Sequence, residues 1–414
     1  MSARNKRIGH PKERRGYTLV ELLTVMIIIA LLATLGLAVQ RASVESARRD
    51  RTRTTIAKID HILAGIYEKY QYRTVPLPNY DDVQLSNILT GYSNGGGGFI
   101  SSMSDGERGK ARRTARMVAR TMALRELLQM DMPTSVGEIM DAAGNQLLPE
   151  FNEATTPLAN FYYNTICRFE DPINTTNAEL LYLIVMNADP EARTMFHERE
   201  IGVWDDGDRV GGNVFLDGWG NPICFLRWAP GLVDSDRQPS IEDGLLIQAF
   251  QMARRYEAGL AQLSADDLNV IDTALGCDSG TRADRLVELE QDTLFRDLQE
   301  QYSDPLDPMG VCDGWYLTPL VYSCGPDGEP GMKKPTDASF ETSRCRDPFQ
   351  GDFLLLGLPD YAAKDSTSTI SSTSTVVRPI SEEDDGEGGG GTGEPTEYTE
   401  YAKDNITNHS MAQN

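Results

Sequence analysis

The longest apolar run in the chain begins almost at once. Leu22 to Val39 reads LLTVMIIIALLATLGLAV, eighteen residues without a charge. That is enough for a membrane-spanning helix. Leu19 and Val20 extend it toward the N-terminus across one acid, Glu21. Further on, Ile56, Ile59, Ile62, Leu63, Ile66, Tyr67 and Tyr70 recur at steps of three and four, the mark of an amphipathic helix. No proline occurs between Pro11 and Pro76, so the pattern predicts one helix from about Thr18 to about Tyr72. Pro76-Leu77-Pro78-Asn79 breaks it, and Ser93-Asn94 followed by four glycines reads as a loop. Helical patterns recur at 107–130, 177–198, 241–263 and 282–302, and strand-like runs at 214–216, 223–228 and 315–323. The arginines of 107–130 read as a solvated helix face rather than a membrane or partner surface. His61 reads as a polar helix position rather than a ligand. From Lys364 the chain turns to Ser/Thr alternation and then SEEDDGEGGGGTGEP, a linker by composition.

Charge adds an asymmetry. Residues 1–16 carry six Lys/Arg and one Glu, which is +5. Against the total of −23, this leaves −28 for the rest. So acidic a body argues against nucleic acid as a partner. The six cysteines contain no C-x-x-C, so neither a zinc ribbon nor a thioredoxin-type motif is indicated. Outside the cytoplasm they become disulfide candidates, and sequence does not choose among the pairings. Cys312 and Cys324 are twelve residues apart across a predicted strand, too far to bridge unless Thr318-Pro319 turns the chain back. Cys324 with Cys345, across a Gly/Pro-rich loop, closes more easily. Only four histidines are present, and none forms H-E-x-x-H. The Walker A, G-x-G-x-x-G and G-x-S-x-G signatures are missing too, so the chain reads as non-enzymatic.

The N-terminus admits three readings. An ordinary signal peptide accounts for the basic and apolar regions, but the apolar run exceeds the usual length and Glu21 is out of place. A plain anchor explains the length and leaves the acid unexplained. In the third reading the chain is cut after Gly16, and the new amine of Tyr17 lies about a helical turn from Glu21. In a bundle of such helices, one subunit's Glu21 meets its neighbour's amine, which offsets the cost of burying both charges. The stretch RRGYTLVELL resembles the processing site of type IV prepilins and type II secretion pseudopilins: Gly16, an aromatic Tyr17 and Glu21 as the fifth mature residue match in register. The family usually has Phe where Tyr17 stands. The resemblance implies cleavage after Gly16 by a prepilin peptidase, N-methylation of Tyr17, and assembly through Glu21 with other copies and pilin-like subunits on an inner-membrane secretion platform.

Two head motifs extend the resemblance. DGWGNPICFLRWAPG contains a turn cluster between two apolar runs, which reads as a hairpin with Trp219 anchoring the turn. It is similar to the major pseudopilin pattern D-P-W-G-N-P, with Gly218 in place of the usual Pro. The stretch Tyr322-Ser323-Cys324-Gly325-Pro326-Asp327-Gly328 resembles that family's calcium loop. The resemblance implies Ca²⁺ held by Asp327 and by Asp404 near the C-terminus, although far more chain separates them here than in the family. Asp205 to Gly211 looks like an EF-hand start, but Val210 stands where a ligand is needed.

The resemblance implies an α+β, type IV pilin-like fold: a long N-terminal helix packed on a small antiparallel sheet, with extra helical insertions. The expected organisation is a cytoplasmic leader at 1–16, a membrane and assembly helix at 17–39, and its amphipathic continuation at 40–75. A head follows at 76–362, a disordered linker at 363–400 and a terminal segment at 401–414 that returns to the calcium loop. The expected role is a subunit of a type II secretion pseudopilus or related pilus-like filament, held in the inner membrane with its head outside the cytoplasm. A membrane-anchored binding protein that never polymerises, and a secreted enzyme starting near Val39, are the other classes.

Overall fold

The computed structural model describes residues 19–89, 99–149, 151–152, 154–169, 171–188, 191–205, 210–228, 237, 239–259, 265–304, 306, 316–326 and 328, with the short pieces 332–333, 378–379 and 406–409. The chain divides into two units, up to Asp50 and from Arg51 onward. Helix α1 runs Leu19–Gln71 and contributes to both. It ends before Pro76, as the proline pattern predicts.

The second unit is mostly helical. It contains α2 (Asp82–Leu89), α3 (Phe99–Ser102), α4 (Asp105–Asp131), α5 (Pro157–Ile166), α6 (Asn177–Ala188) and α7 (Ala192–Met195). After the first strands come α8 (Ile241–Glu257), α9 (Ala265–Leu275), α10 (Arg282–Gln291) and α11 (Thr293–Tyr302). The strands are β1 (Ile201–Asp205), β2 (Val210–Phe215), β3 (Ile223–Leu226), β4 (Leu320–Ser323), β5 (Met332–Lys333), β6 (Arg378–Pro379) and β7 (Ile406–Thr407). Among the described residues they form three small antiparallel sheets: β1-β2, β3-β4-β7 and β5-β6. This is an α+β, pilin-like fold: a long N-terminal helix, small antiparallel sheets and additional helices.

The α1 stripe read from the sequence is core. Ile56, Ile59 and Leu63 are fully buried, and Tyr67 and Tyr70 nearly so. His61 faces solvent. On α4 the inward positions are small, with Ala111, Ala115, Ala119 and Ala123 all fully buried, which permits close helix approach. Its arginines divide. Arg113 and Arg116 are exposed, and Arg112 pairs with Asp82 at 2.6 Å. Arg125 is buried against Asp304 at 2.8 Å. The solvated-face expectation therefore fails at Arg125, because the acid that pairs with it lies far along the chain.

Two other expectations are corrected. The 282–302 helix is two helices, broken where Asp292 leaves helical geometry and caps α11 through Leu294 N. The expected hairpin at 215–222 is a turn closed by a single bridge, Leu216 with Pro222, and its arms belong to different sheets. Asp205 pairs with Val210 in the β1-β2 hairpin, which is no EF-hand frame. Most of the expected linker 363–400 lies outside the described residues, but Arg378–Pro379 pairs with Met332–Lys333. From the terminal segment, Ile406–Thr407 pairs with Ser323 and Tyr322 of β4.

Candidate functional site

Residues 19–50 form a helix, and among the described residues no other element belongs to their unit. Between Glu21 and Arg41 the sequence has no charge, nineteen residues that span about 29 Å as helix. That length matches a hydrocarbon core of about 30 Å. The best 18-residue window has a mean hydropathy of 2.8 and no buried residue. Leu22, Met26, Ile29, Leu32 and Leu35 are each at least 60 % exposed. Uncovered apolar surface on this scale marks a contact with lipid or with other helices. The hydroxyls in the run satisfy themselves on their own helix: Thr24 Oγ1 donates to Val20 O at 2.9 Å and to Glu21 O at 3.0 Å, and Thr34 Oγ1 to Leu31 O at 2.8 Å. They therefore add little cost to burial in lipid. Glu21 stands in the first turn, where the helix dipole favours an acid. Gly16 and Tyr17 lie outside the described residues.

In the second unit the structure brings two sequence motifs together. Asp217 is 1 % exposed. Its Oδ1 accepts the backbone N–H of Trp219 at 2.9 Å and those of Gly220 and Asn221 at 2.8 Å. Its Oδ2 accepts the Ser323 hydroxyl at 2.7 Å. The Asn221 amide donates to Gly325 O at 2.7 Å, and Gly325 N donates to Ser323 Oγ at 3.1 Å. Gly220 adopts φ +98°, a left-handed conformation that the turn needs and that favours glycine. Thr52 of α1, buried, accepts Gly218 N at 2.8 Å. The node thus ties α1, the 217–221 turn and the end of β4. Burial pushes the Asp217 carboxyl above its usual range, against four donors that favour the ionised form.

The same turn occurs a second time. Asp141 Oδ1 accepts the N–H of Ala143 at 2.9 Å and of Asn145 at 2.8 Å. Asp141 N donates to Asn145 O at 2.9 Å, as Asp217 N does to Asn221 O at 2.9 Å. Both turns read D-x-x-G-N, and Met140 bridges Gln146 as Leu216 bridges Pro222. Gly144 matches Gly220 with φ +81°. Asp141 is only half-buried, and there the Asn145 amide and backbone donors hold its carboxyl below the usual range. One turn therefore shows two opposite shifts, decided by burial.

A second carboxylate, overlooked in the sequence, holds α1 to β1. Glu200 Oε1 accepts from Thr55 Oγ1 at 2.7 Å, and the Lys58 ammonium lies 2.9 Å from both oxygens. Oε2 also accepts His197 N at 2.7 Å. Burial would raise its pKa, but the His197, Thr55 and Lys58 donors outweigh it and the carboxyl lies below its usual range. Glu179 plays a similar part, accepting Thr176 N at 2.7 Å and Gly212 N at 2.5 Å. Thr176-x-x-Glu179 is a capping-box spelling, a signal that a closer scan of the sequence would have found.

Asp327, Asp404 and Cys345 lie outside the described residues. Cys324 is buried at the end of β4. Among the described residues no group of three or more His, Cys, Asp or Glu is placed to hold a metal.

Compared with known families, residues 11–37 match the prokaryotic N-terminal methylation motif. No curated protein and no solved structure matches the chain. The matched segment takes in Gly16, Tyr17 and Glu21 together with most of the uncovered apolar run. The chain thus carries the N-terminal signature of a type IV pilin-like prepilin, with the processing by prepilin peptidase and pilin-like assembly that this signature implies.

Proposed function

We propose that the protein is a structural subunit of a type II secretion pseudopilus or a related pilus-like filament. It is made as an inner-membrane precursor with its head outside the cytoplasm, cleaved after Gly16 and N-methylated on Tyr17. The observation that carries this reading is the uncovered apolar helix with one acid, Glu21, in its first turn. A charge costs about 2.5–3.5 kcal/mol at the centre of the hydrocarbon on insertion scales, and less toward its edge. The Tyr17 amine of a neighbouring subunit offsets that cost only when the helices stand in register, so the pair sets the axial step of the assembly.

The test has two parts. The N-terminal mass of the mature protein from cell envelopes is expected to begin at N-methylated Tyr17. Glu21→Ala is expected to abolish filaments while leaving cleavage and the folded head intact, read by circular dichroism. Filaments of ordinary length from Glu21→Ala would overturn the assembly role. A mature chain beginning near Val39 would remove Glu21 and the whole reading with it.

Calcium binding at Asp327 and Asp404 belongs to the same proposal. It is supported by the pairing of Ser323 with Ile406, which sets the segment just after Asp404 beside the strand that leads to Asp327. The check is thermal unfolding with calcium and with chelator: a midpoint unmoved by calcium in the wild type rules it out.

A further inference from the structure

Strand β3 pairs with β4 in a register that sets Cys224 opposite Tyr322. Side chains alternate along a strand, so Cys224, Leu226, Leu320 and Tyr322 share one face of the sheet. Cys324, two residues past Tyr322, falls on that face too. The opposite face carries Ile223, Phe225 and Val321 into the main core. Leu226, Leu320, Tyr322 and Cys324 form a small apolar cluster of their own, with Cys224 packed against it. Two thiols therefore lie on one apolar patch, Cys324 buried and Cys224 half-buried, as diagonal neighbours across an antiparallel pair.

Diagonal neighbours have Cα atoms about 7–8 Å apart with Cβ atoms nearer. A bridge takes Cα separations up to about 6.8 Å. Closing it needs a shift of about an ångström. Cys324 can supply that shift. It is one residue beyond the last ladder position of β4, and Gly325 follows at φ +72°. The other described cysteines lie elsewhere: Cys167 is exposed at the end of α5, and Cys277 sits beside Asp272.

We propose that Cys224 and Cys324 form a disulfide in the mature head, joining β3 to β4 and displacing the Cys324–Cys345 pairing that the sequence favours. This rests on the reading that the head lies outside the cytoplasm. The oxidant is a protein or small-molecule disulfide of that compartment. One thiolate attacks a sulfur of the oxidant to give a mixed disulfide, and the second thiolate then displaces the oxidant's thiolate. The two cysteines lose two electrons and two protons, and the oxidant is reduced to its dithiol form.

The experiment uses the full-length protein in detergent. Reduced protein is treated with oxidised glutathione, quenched with N-ethylmaleimide, digested without reduction and mapped by mass spectrometry. A cross-linked peptide pair carrying Cys224 and Cys324, lighter by two hydrogens than the reduced peptides, is the expected result. Alkylation of both thiols, or Cys324 bridged to Cys345, overturns the proposal. The same map is made on protein alkylated directly in cells. A bridge that forms with glutathione but not in cells refutes the extracytoplasmic head rather than the geometry. A mature chain starting at Tyr17 with both thiols alkylated in both preparations refutes the geometry and leaves the export reading standing. Cys224→Ser is expected to leave Cys324 open to alkylation after mild unfolding while circular dichroism stays unchanged.

Discussion

Replacing Asp217 with alanine separates a held turn from a merely compatible one. The carboxylate accepts four hydrogen bonds, three from backbone N–H groups and one from Ser323. A buried donor left without an acceptor costs about 1–3 kcal/mol. The turn is only partly buried at Trp219 and Asn221, so water recovers some of the loss. We therefore expect Asp217→Ala to cost about 3–5 kcal/mol, at the top of the range for single substitutions. Asp217→Asn keeps one acceptor oxygen in place, and its amide can donate to Ser323 Oγ. It should cost no more than about 1.5 kcal/mol. The pH dependence gives a second reading. Burial raises the folded carboxyl above its unfolded value of about 3.9, so the folded state holds the proton longer. Stability from this group is then greatest at low pH and falls as pH rises through the window above about 3.9. Asp217→Asn lacks that component, so the wild-type margin over it narrows between pH 4 and neutrality. Urea unfolding of the full chain in detergent, followed by tryptophan fluorescence, measures both. If Asp217→Ala falls within about 1 kcal/mol of wild type, the carboxylate does not hold the node and the reasoning fails.

Other substitutions probe the remaining supports. Glu200→Gln is expected to cost about 1–3 kcal/mol at neutral pH, since it weakens charge-assisted bonds to Lys58 and Thr55. Because the folded carboxyl lies below its unfolded value, its contribution is full above about pH 4.3 and is lost as pH falls further. Thermal unfolding should accordingly show the gap to Glu200→Gln closing in acid; a gap constant from pH 7 to pH 3 would contradict this. Arg227→Ala leaves Glu138 buried without its 2.7 Å partner, and a loss of about 3–5 kcal/mol is expected in denaturant titration. At Gly212 an added Cβ meets the Phe169 ring at 2.8 Å, so Gly212→Ala should lower stability by about 1–3 kcal/mol, with faster amide exchange in the β1-β2 hairpin.

Local pattern carried the helices well and tertiary pairing poorly. The α1 stripe and the absence of proline announce one helix, and Leu19–Gln71 follows within a residue of the expected ends. Helix α4 was legible for the same reason, through Met117, Met122, Leu124 and Leu127 beside its arginines. The fate of Arg125 was not, because its partner Asp304 lies 179 residues away and no local rule links them. The 215–222 segment misled because a turn cluster between apolar runs has the same spelling whether its arms pair together or leave for different sheets. Here β3 finds β4 across more than ninety residues. Glu200 was illegible as an anchor, since its partners Thr55 and Lys58 belong to a helix read only for its apolar stripe. At the N-terminus the situation is reversed. Gly16, Tyr17 and Glu21 carry their meaning in sequence spacing, and the structure adds the exposure of an apolar helix that calls for lipid or neighbouring helices.

The two D-x-x-G-N turns show what the head motif encodes. Both fold alike, with the carboxylate collecting backbone N–H groups and a glycine at positive φ. The local spelling is therefore sufficient for the turn. It is not sufficient for the node, because only Asp217 is buried and only Asp217 holds a serine from another strand. The discriminating information lies in Ser323, Gly325 and Thr52, which reach the turn from other elements. Resemblance in the stretch 215–231 alone would thus report a turn. Resemblance in that stretch together with Tyr322–Gly325 reports the closure of β4 onto it, and hence the sheet. The paired motifs belong to the scaffold of the second unit, and the proposed assembly rests on helix α1.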